Sequence, residues 1–233
     1  MLVQRAARGF QRISRVRVTF AATTLVLALG MTISALGALQ TPASRAGASG
    51  HSFDQMYEQG QRRNAAMKTL TARFTETTTS ALLVKPLVAR GTVLVERPSR
   101  VALRYSEPDA RVIVIDDKTL TSSWPTRRTL DIATAMGRVQ KQFINGTAAD
   151  LRREFDIDDT RASDTPGAYH VTMTPRRKQI REALAKLDLW VDQESMLLKT
   201  MRMTFASGET KTMTFEDVVP NGPVPPGAFV LPK

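Results

Sequence analysis

His51 and His170 are the only histidines in this chain, so they are its only side chains whose ordinary pKa suits proton transfer near neutrality. His51 lies in a stretch of small residues. His170 lies on an alternating stretch with no nucleophile or ligand partner spaced near it, and reads as a strand residue rather than a base. The chain has no cysteine, which removes zinc-thiolate sites, cysteine nucleophiles and disulfides. No G-x-S-x-G, H-E-x-x-H or phosphate loop occurs. The acidic pairs Asp116-Asp117 and Asp158-Asp159 stand where turns are expected. Asn145-Gly146-Thr147 is a glycosylation sequon only in a host that glycosylates. The expectation is therefore a protein that is not an enzyme, with no metal and no cofactor. What the residues offer instead is apolar binding. Eight of the methionines follow residue 50, among them Met56 and Met67. Methionine is flexible and polarizable, and suits surfaces that repack around varied partners.

The elements that must position these residues follow from the spacing. Residues 39–51 are small, polar and contain Pro and Gly, which marks a linker. Ser52 sits three before Gln55, a capping-box pattern. Phe53, Met56, Tyr57, Met67, Leu70 and Phe74 follow at mostly helical spacing, which predicts an amphipathic helix over 53–72. Short β segments then succeed one another: 72–79, 88–96, 100–106, 111–116, 119–124 and 128–132, divided by Pro98, Pro108 and Pro125. Residues 134–155 break the pattern, and Met136, Val139, Phe143, Ile144 and Leu151 suggest two short helices around Asn145-Gly146. Strands return at 168–174, 185–192, 197–206 and 209–218, with a hairpin turn at Ser207-Gly208. A short helical turn is expected over 176–182 and a last extended piece at 229–231. The fold class is thus mainly β (α+β): a single antiparallel sheet of about ten strands with helices at the front and middle. A sheet that large curls or closes, and curling leaves a concave apolar face for the helices to cover. Met201, Met203 and Phe205 share one face of a strand, as do Val101, Leu103 and Tyr105. Such stripes are core packing or the wall of a hollow, and in a curled sheet they can be both.

Residues 1–50 contain no acidic side chain. Arg5, Arg8, Arg12, Arg15 and Arg17 precede an uncharged stretch from Val18 to Ser44. A basic region, an apolar region and small residues after it predict a secretory signal over 1–38. Ala35-Leu36-Gly37 and Ala46-Gly47-Ala48 both offer a cleavage site, the second moving the boundary to 48. The alternative is an uncleaved anchor, since the uncharged stretch is about as long as a bilayer span. Taking those five arginines from the net charge of +11 leaves +6 on the remainder. That charge is dispersed rather than run together, and only 6% of residues are aromatic, so no nucleic-acid partner is expected. A weak attraction to anionic lipid headgroups is the other reading of the basic balance.

Several segments, in order, resemble the periplasmic outer-membrane lipoprotein carrier family, the LolA-like proteins. Met67-x-x-Leu70-x-x-x-Phe74-x-Glu76 is similar to the family's opening helix running into its first strand. Gly91-Thr-Val-Leu-Val-Glu-Arg-Pro98 resembles its second strand, and Arg104-Tyr105-x-x-Pro108 its third strand and turn. Val112 to Leu120 corresponds to the next hairpin. Leu189-Trp-Val-Asp192, Leu198-Lys199, Ser207-Gly208, Phe215-x-Asp217-Val218 and Pro225-x-x-x-Phe229 follow the family's ending. The likeness spans about 53–231. Two positions depart from the pattern: Asp117 replaces a usual turn glycine, and Thr121-Ser-Ser123 stands where aromatics are usual.

The resemblance implies an unclosed β-barrel over residues 52–233, with helices as a lid above an apolar cavity. Its lining is expected from Met67, Leu70 and Phe74, from Val101, Leu103 and Tyr105, from Met136 and Phe143, and from Met201, Met203, Phe205 and Met213. Arg97 matches the arginine that latches lid to barrel, its alternative being an ordinary exposed strand-end arginine. The implied function is a monomeric periplasmic shuttle that shields lipoprotein acyl chains or similar lipids between the two membranes. Its partners would be an inner-membrane donor, an ABC-type or other exporter, and an outer-membrane acceptor. At ~0.8 kcal/mol per buried CH₂, two or three long chains carry tens of kcal/mol of apolar surface that must be hidden from water. The alternatives are a glycolipid or hydrophobic-metabolite carrier tied to an exporter, and a lipid-sensing regulator.

Overall fold

The computed structural model describes residues 52–116, 118–123, 128–131, 147–159 and 163–232. The first helix, α1 (Phe53–Arg63), opens on the expected capping box: the Ser52 hydroxyl accepts from the Gln55 N–H, and the Gln55 side chain accepts from the Ser52 N–H. Asp54 in its first turn and Arg62 and Arg63 in its last complement the helix dipole. Phe53, Met56, Tyr57 and Gly60, spaced three and four apart, form its buried face. The helix stops at Arg63, with Asn64 as its C-cap, rather than running to residue 72. Thr69 and Thr71 begin an alternation of β-branched residues there, and pairing with strands on both sides overrides the apolar spacing of Met67, Leu70 and Phe74. Leu70 and Phe74 are therefore strand residues.

Eleven strands among the described residues form one antiparallel sheet. They are β1 (Thr69–Thr79), β2 (Leu87–Glu96), β3 (Arg100–Glu107), β4 (Arg111–Ile115), β5 (Thr119–Ser122), β6 (Arg128–Asp131), β7 (Phe155–Asp158), β8 (Ala168–Pro175), β9 (Leu184–Asp192), β10 (Leu198–Phe205) and β11 (Thr210–Pro220). The order is β6-β5-β4-β3-β2-β1-β11-β10-β9-β8-β7. β1 and β11 thus pair at the centre, β6 and β7 form the two edges among the described strands, and the sheet is not closed. Strand twist accumulated over this many strands makes such a sheet curl. Between the halves lies α2 (Ala148–Glu154), capped by Thr147, and after β8 comes α3 (Lys178–Arg181). The expected helices of 134–155 are met in part. α2 is helical, but the chain turns at Phe155 into β7, a strand the helical spacing of Leu151 concealed. Met136 and Phe143 lie outside the described residues. Among the described residues no helix is long and apolar enough to cross a membrane.

The sheet has two distinct faces. On the inner face Val95, Val101 and Ile115 stand in one cross-strand row, and Val93, Leu103 and Ile113 in the next. Phe74, Gly91 and Tyr105 make a third, and Met213, Met201, Leu189 and Val171 a fourth. The apolar residues of these rows share one core cluster with Phe53, Met56 and Tyr57 of α1, Leu151 of α2 and Ile180 of α3, so these helices pack on this face. Each large side chain buried there contributes roughly 1.5–3 kcal/mol. The outer face is partly covered by the C-terminal tail. The expected extended piece at 229–231 is not a strand, because Arg104 holds the tail in turns. Its Nη2 donates to the carbonyls of Gly227 (2.7 Å), Ala228 (2.8 Å) and Val230 (3.1 Å). The guanidinium of Arg100 sits 4.7 Å over the Phe229 ring.

Candidate functional site

The inner face is where the chain concentrates the residues expected to bind. Phe74, Val101, Leu103, Tyr105, Met201, Met203 and Met213 are buried there, and Leu70 and Phe205 pack against them half-buried. Met67, in the connection from α1 to β1, is buried outside that cluster. Phe74 meets Tyr105 edge to face, ring centroids 4.9 Å apart, across a glycine that leaves room for both rings. Met201 and Met213 oppose one another, as do Met203 and Lys211, so the methionines form a patch over β10 and β11.

The helices packed on this face are seated by apolar side chains and tied at the rim by polar ones. The Phe53 N–H donates to the Asp159 carboxylate, and Arg152 of α2 reaches Asp54 at 3.0 Å while lying over the Phe53 ring. The Asn64 amide donates to the Ser195 carbonyl at 3.3 Å, beside the β9–β10 turn. These side chains are partly exposed, and such pairs are each worth about 0–1 kcal/mol. Under the cover, burial and then the charge of Asp150 push the Tyr57 phenol up to about 12, against a hydrogen bond with Gln61. Arg97 lies in the β2–β3 turn, where its N–H donates to the Lys68 carbonyl of the α1–β1 connection at 2.9 Å. Its guanidinium nitrogens are partly buried, and that desolvation lowers its pKa.

Sequence reasoning missed a charged island on the apolar face. Glu76 of β1 is 3% exposed, and its Oε2 accepts from the Tyr105 hydroxyl at 2.7 Å. Its Oε1 lies 3.5 Å from Arg111 Nη2 and 3.4 Å from Lys211 Nζ. Arg111 stacks over the Tyr105 ring at 3.8 Å. Alternation along each strand could have put the three charges on the inner side, but only the cross-strand register brings them together.

A second polar cluster lies on the outer face. His170 stacks on Trp190, ring centroids 4.4 Å apart, with Nε2 3.3 Å from the buried Asp188. Thr172 donates to the same carboxylate at 2.7 Å, and Lys186 Nζ stands 3.0 Å from it. The hydroxyl is bonded to the acid rather than to the imidazole, so the trio lacks the arrangement of an activated nucleophile. Burial alone would raise the Asp188 carboxyl. The hydrogen bonds from Thr172 and Lys186, the Lys186 charge and His170 outweigh burial and hold it below its usual range. A depressed native pKa contributes stability that is present above the unfolded value, near 3.9, and lost as pH falls through the folded one. Asp188→Asn is therefore expected to cost about 2 kcal/mol at neutral pH and much less once the pH has fallen below the depressed folded pKa. Urea unfolding at both pH values checks this, and an equal loss at the two would refute the charge-based account. Among the described residues no group of three acidic or histidine side chains could hold a metal ion.

The family model described as outer membrane lipoprotein carrier protein LolA matches residues 65–232. No curated protein matches the sequence. Among solved structures, a LolA superfamily protein from Nitrosomonas europaea is similar at 13% identity and a TM-score of 0.41, over 78% of this chain and 98% of that one. The Mycobacterium tuberculosis lipoprotein LppX is similar at 11% identity and 0.42, over 73% and 95%. The Pseudomonas aeruginosa MucA/MucB complex contributes a chain at 13% identity and 0.43, over 73% of this chain and 59% of that one.

Proposed function

The chain belongs to the LolA family of outer membrane lipoprotein carrier proteins, and from that premise we propose that it shields acyl chains from water and hands them between membranes. The cargo is a lipoprotein or a similar lipid, and the route runs through the periplasm from an inner-membrane donor to an outer-membrane acceptor. Residues 1–38 serve as the export signal. The observation that carries this reading is the inner face itself, a largely apolar surface rich in methionine, packed against helices whose rim ties are weak. A carrier needs a seat that hides long chains and a cover that parts without an energy source. Apolar packing supplies the first, since hidden CH₂ groups are worth ~0.8 kcal/mol each. Partly exposed ion pairs worth about 0–1 kcal/mol supply the second. Arg97, at the junction of cover and sheet, is the latch in this scheme. No catalytic step is required.

Native mass spectrometry of the protein purified from periplasm tests the cargo. Co-purifying lipoprotein is the expected result. Free lipid alone would point to a glycolipid or metabolite carrier, and an empty protein to a regulator. If closure of the cover onto the sheet is what expels the cargo, a latchless cover stays open around it, so Arg97→Leu is expected to trap cargo and slow its release on the order of tenfold, equivalent to about 1.4 kcal/mol. Unchanged transfer kinetics in that variant would remove the latch.

A further inference from the structure

The charged island on the inner face is a poor fit to a purely apolar cargo. Arg111 and Lys211 both approach a single oxygen, Glu76 Oε1, at 3.5 and 3.4 Å, and the other oxygen is taken by the Tyr105 hydroxyl. Two cations thus share one carboxylate, leaving the island one positive charge in excess. A guanidinium and an ammonium together present eight N–H donors, about six more than that one oxygen can satisfy well. Arg111 Nε is buried and has no hydrogen-bond partner among the described residues. Lys211 is 11% exposed and Arg111 24%, so the ammonium is largely desolvated and the guanidinium is still accessible. Unsatisfied donors and unbalanced charge on an apolar face are costly, and a second anion placed between the two cations relieves both.

Resting on the carrier reading above, we propose that Arg111 and Lys211 form an anion subsite on the inner face. It takes the carboxylate or phosphate headgroup of an acyl-chain amphiphile whose tail lies along the apolar rows. The neighbours fit such a tail. Met203 stands directly opposite Lys211, and Phe74 meets the Tyr105 ring on which Arg111 is stacked. Headgroup and chain therefore have adjoining seats, and the protein selects ionised amphiphiles over neutral ones of equal length. Glu76 competes for the same two cations and limits how tightly the headgroup is held.

Titration calorimetry with oleate, with oleyl alcohol and with inorganic phosphate tests this near pH 8, where a fatty acid is ionised (carboxylate pKa about 4 to 5). Oleate is expected to bind at least tenfold tighter than oleyl alcohol, and phosphate is not expected to displace it at equal concentration. Lys211→Met lowers the oleate-to-alcohol ratio about tenfold, whereas Glu76→Gln raises it several-fold by removing the competing carboxylate. A variant that merely loosens the fold would not strengthen oleate binding, so the opposed signs separate recognition from damage. Equal affinity for oleate and oleyl alcohol would overturn the subsite while leaving the carrier reading intact. Failure of both to bind would overturn the two together. Phosphate that binds alone and displaces oleate would replace the amphiphile with a free-anion site.

Discussion

Gly91→Ala is expected to destabilise the protein by about 3 kcal/mol, at the upper end of the usual overpacking cost, through one added methyl group. Gly91 sits in β2 between Phe74 of β1 and Tyr105 of β3, next to the register shift in the β2–β3 pair. A Cβ there would stand 2.2 Å from the Arg104 carbonyl oxygen and 2.8 Å from the Phe74 ring. The ring could swing aside, but the carbonyl belongs to the paired strand and cannot. The β2–β3 pair must part instead, which disturbs the Phe74–Tyr105 contact and the island beside it. Gly208 gives the contrast. Its φ of +83° strains any other residue, yet nothing lies within 4 Å of its Cβ direction. Gly208→Ala should cost only about 1 kcal/mol, the ordinary penalty of a left-handed turn position. Urea unfolding midpoints for the pair of variants decide the matter. A Gly91→Ala protein within about 0.5 kcal/mol of wild type would mean the strands have slack the packing does not suggest.

Much of this architecture was legible in the sequence because strands with one buried face write their alternation into the chain. Val101, Leu103 and Tyr105, or Met201 and Met203, mark a face without any knowledge of neighbours. The errors fall where a local pattern was outvoted by pairing. Met67, Leu70 and Phe74 keep helical spacing, but Leu70 pairs with both Val95 and Pro220. Phe155 looked like the end of a helix and begins an edge strand that pairs with β8. The tail residues 229–231 look extended but are captured by one arginine from β3. The candidate site divides in the same way. Its apolar members were readable one strand at a time, with Met136 and Phe143 outside the described residues. The island of Glu76, Arg111 and Lys211 draws on residues far apart in the chain and exists only through the registers that run from β11 through β1, β2 and β3 to β4. For Arg97 the sequence leaves a latch and an ordinary strand-end arginine both open, and only the fold places its N–H on the Lys68 carbonyl.

Joining α1 to the sheet by a disulfide is expected to stop cargo exchange while making the protein more stable. An ideal Cβ at Gly60 lies 3.6 Å from Met196 Cβ, within the roughly 3.5–4.5 Å range of natural disulfides. The chain has no cysteine of its own, so Gly60→Cys with Met196→Cys has no competing partner. Met196 has a φ of +58°, and cysteine inherits that strain without adding to it. The bridge closes a long loop, which in the chain-entropy limit is worth about 4–5 kcal/mol for loops on the order of a hundred residues. The helix it pins is otherwise held by apolar contacts and by rim pairs such as Arg152–Asp54, whose side chains are 38% and 48% exposed. Such ties part readily when a long chain pushes beneath them, and a disulfide does not. Oxidised protein should therefore take up or release an acyl probe at least tenfold more slowly than reduced protein, a barrier rise of about 1.4 kcal/mol or more. Reductant should restore the rate in the same sample, which separates locking from misfolding. If oxidised and reduced forms exchange at one rate while unfolding proves that the bridge has formed, α1 is a fixed wall, and cargo must enter past some other element.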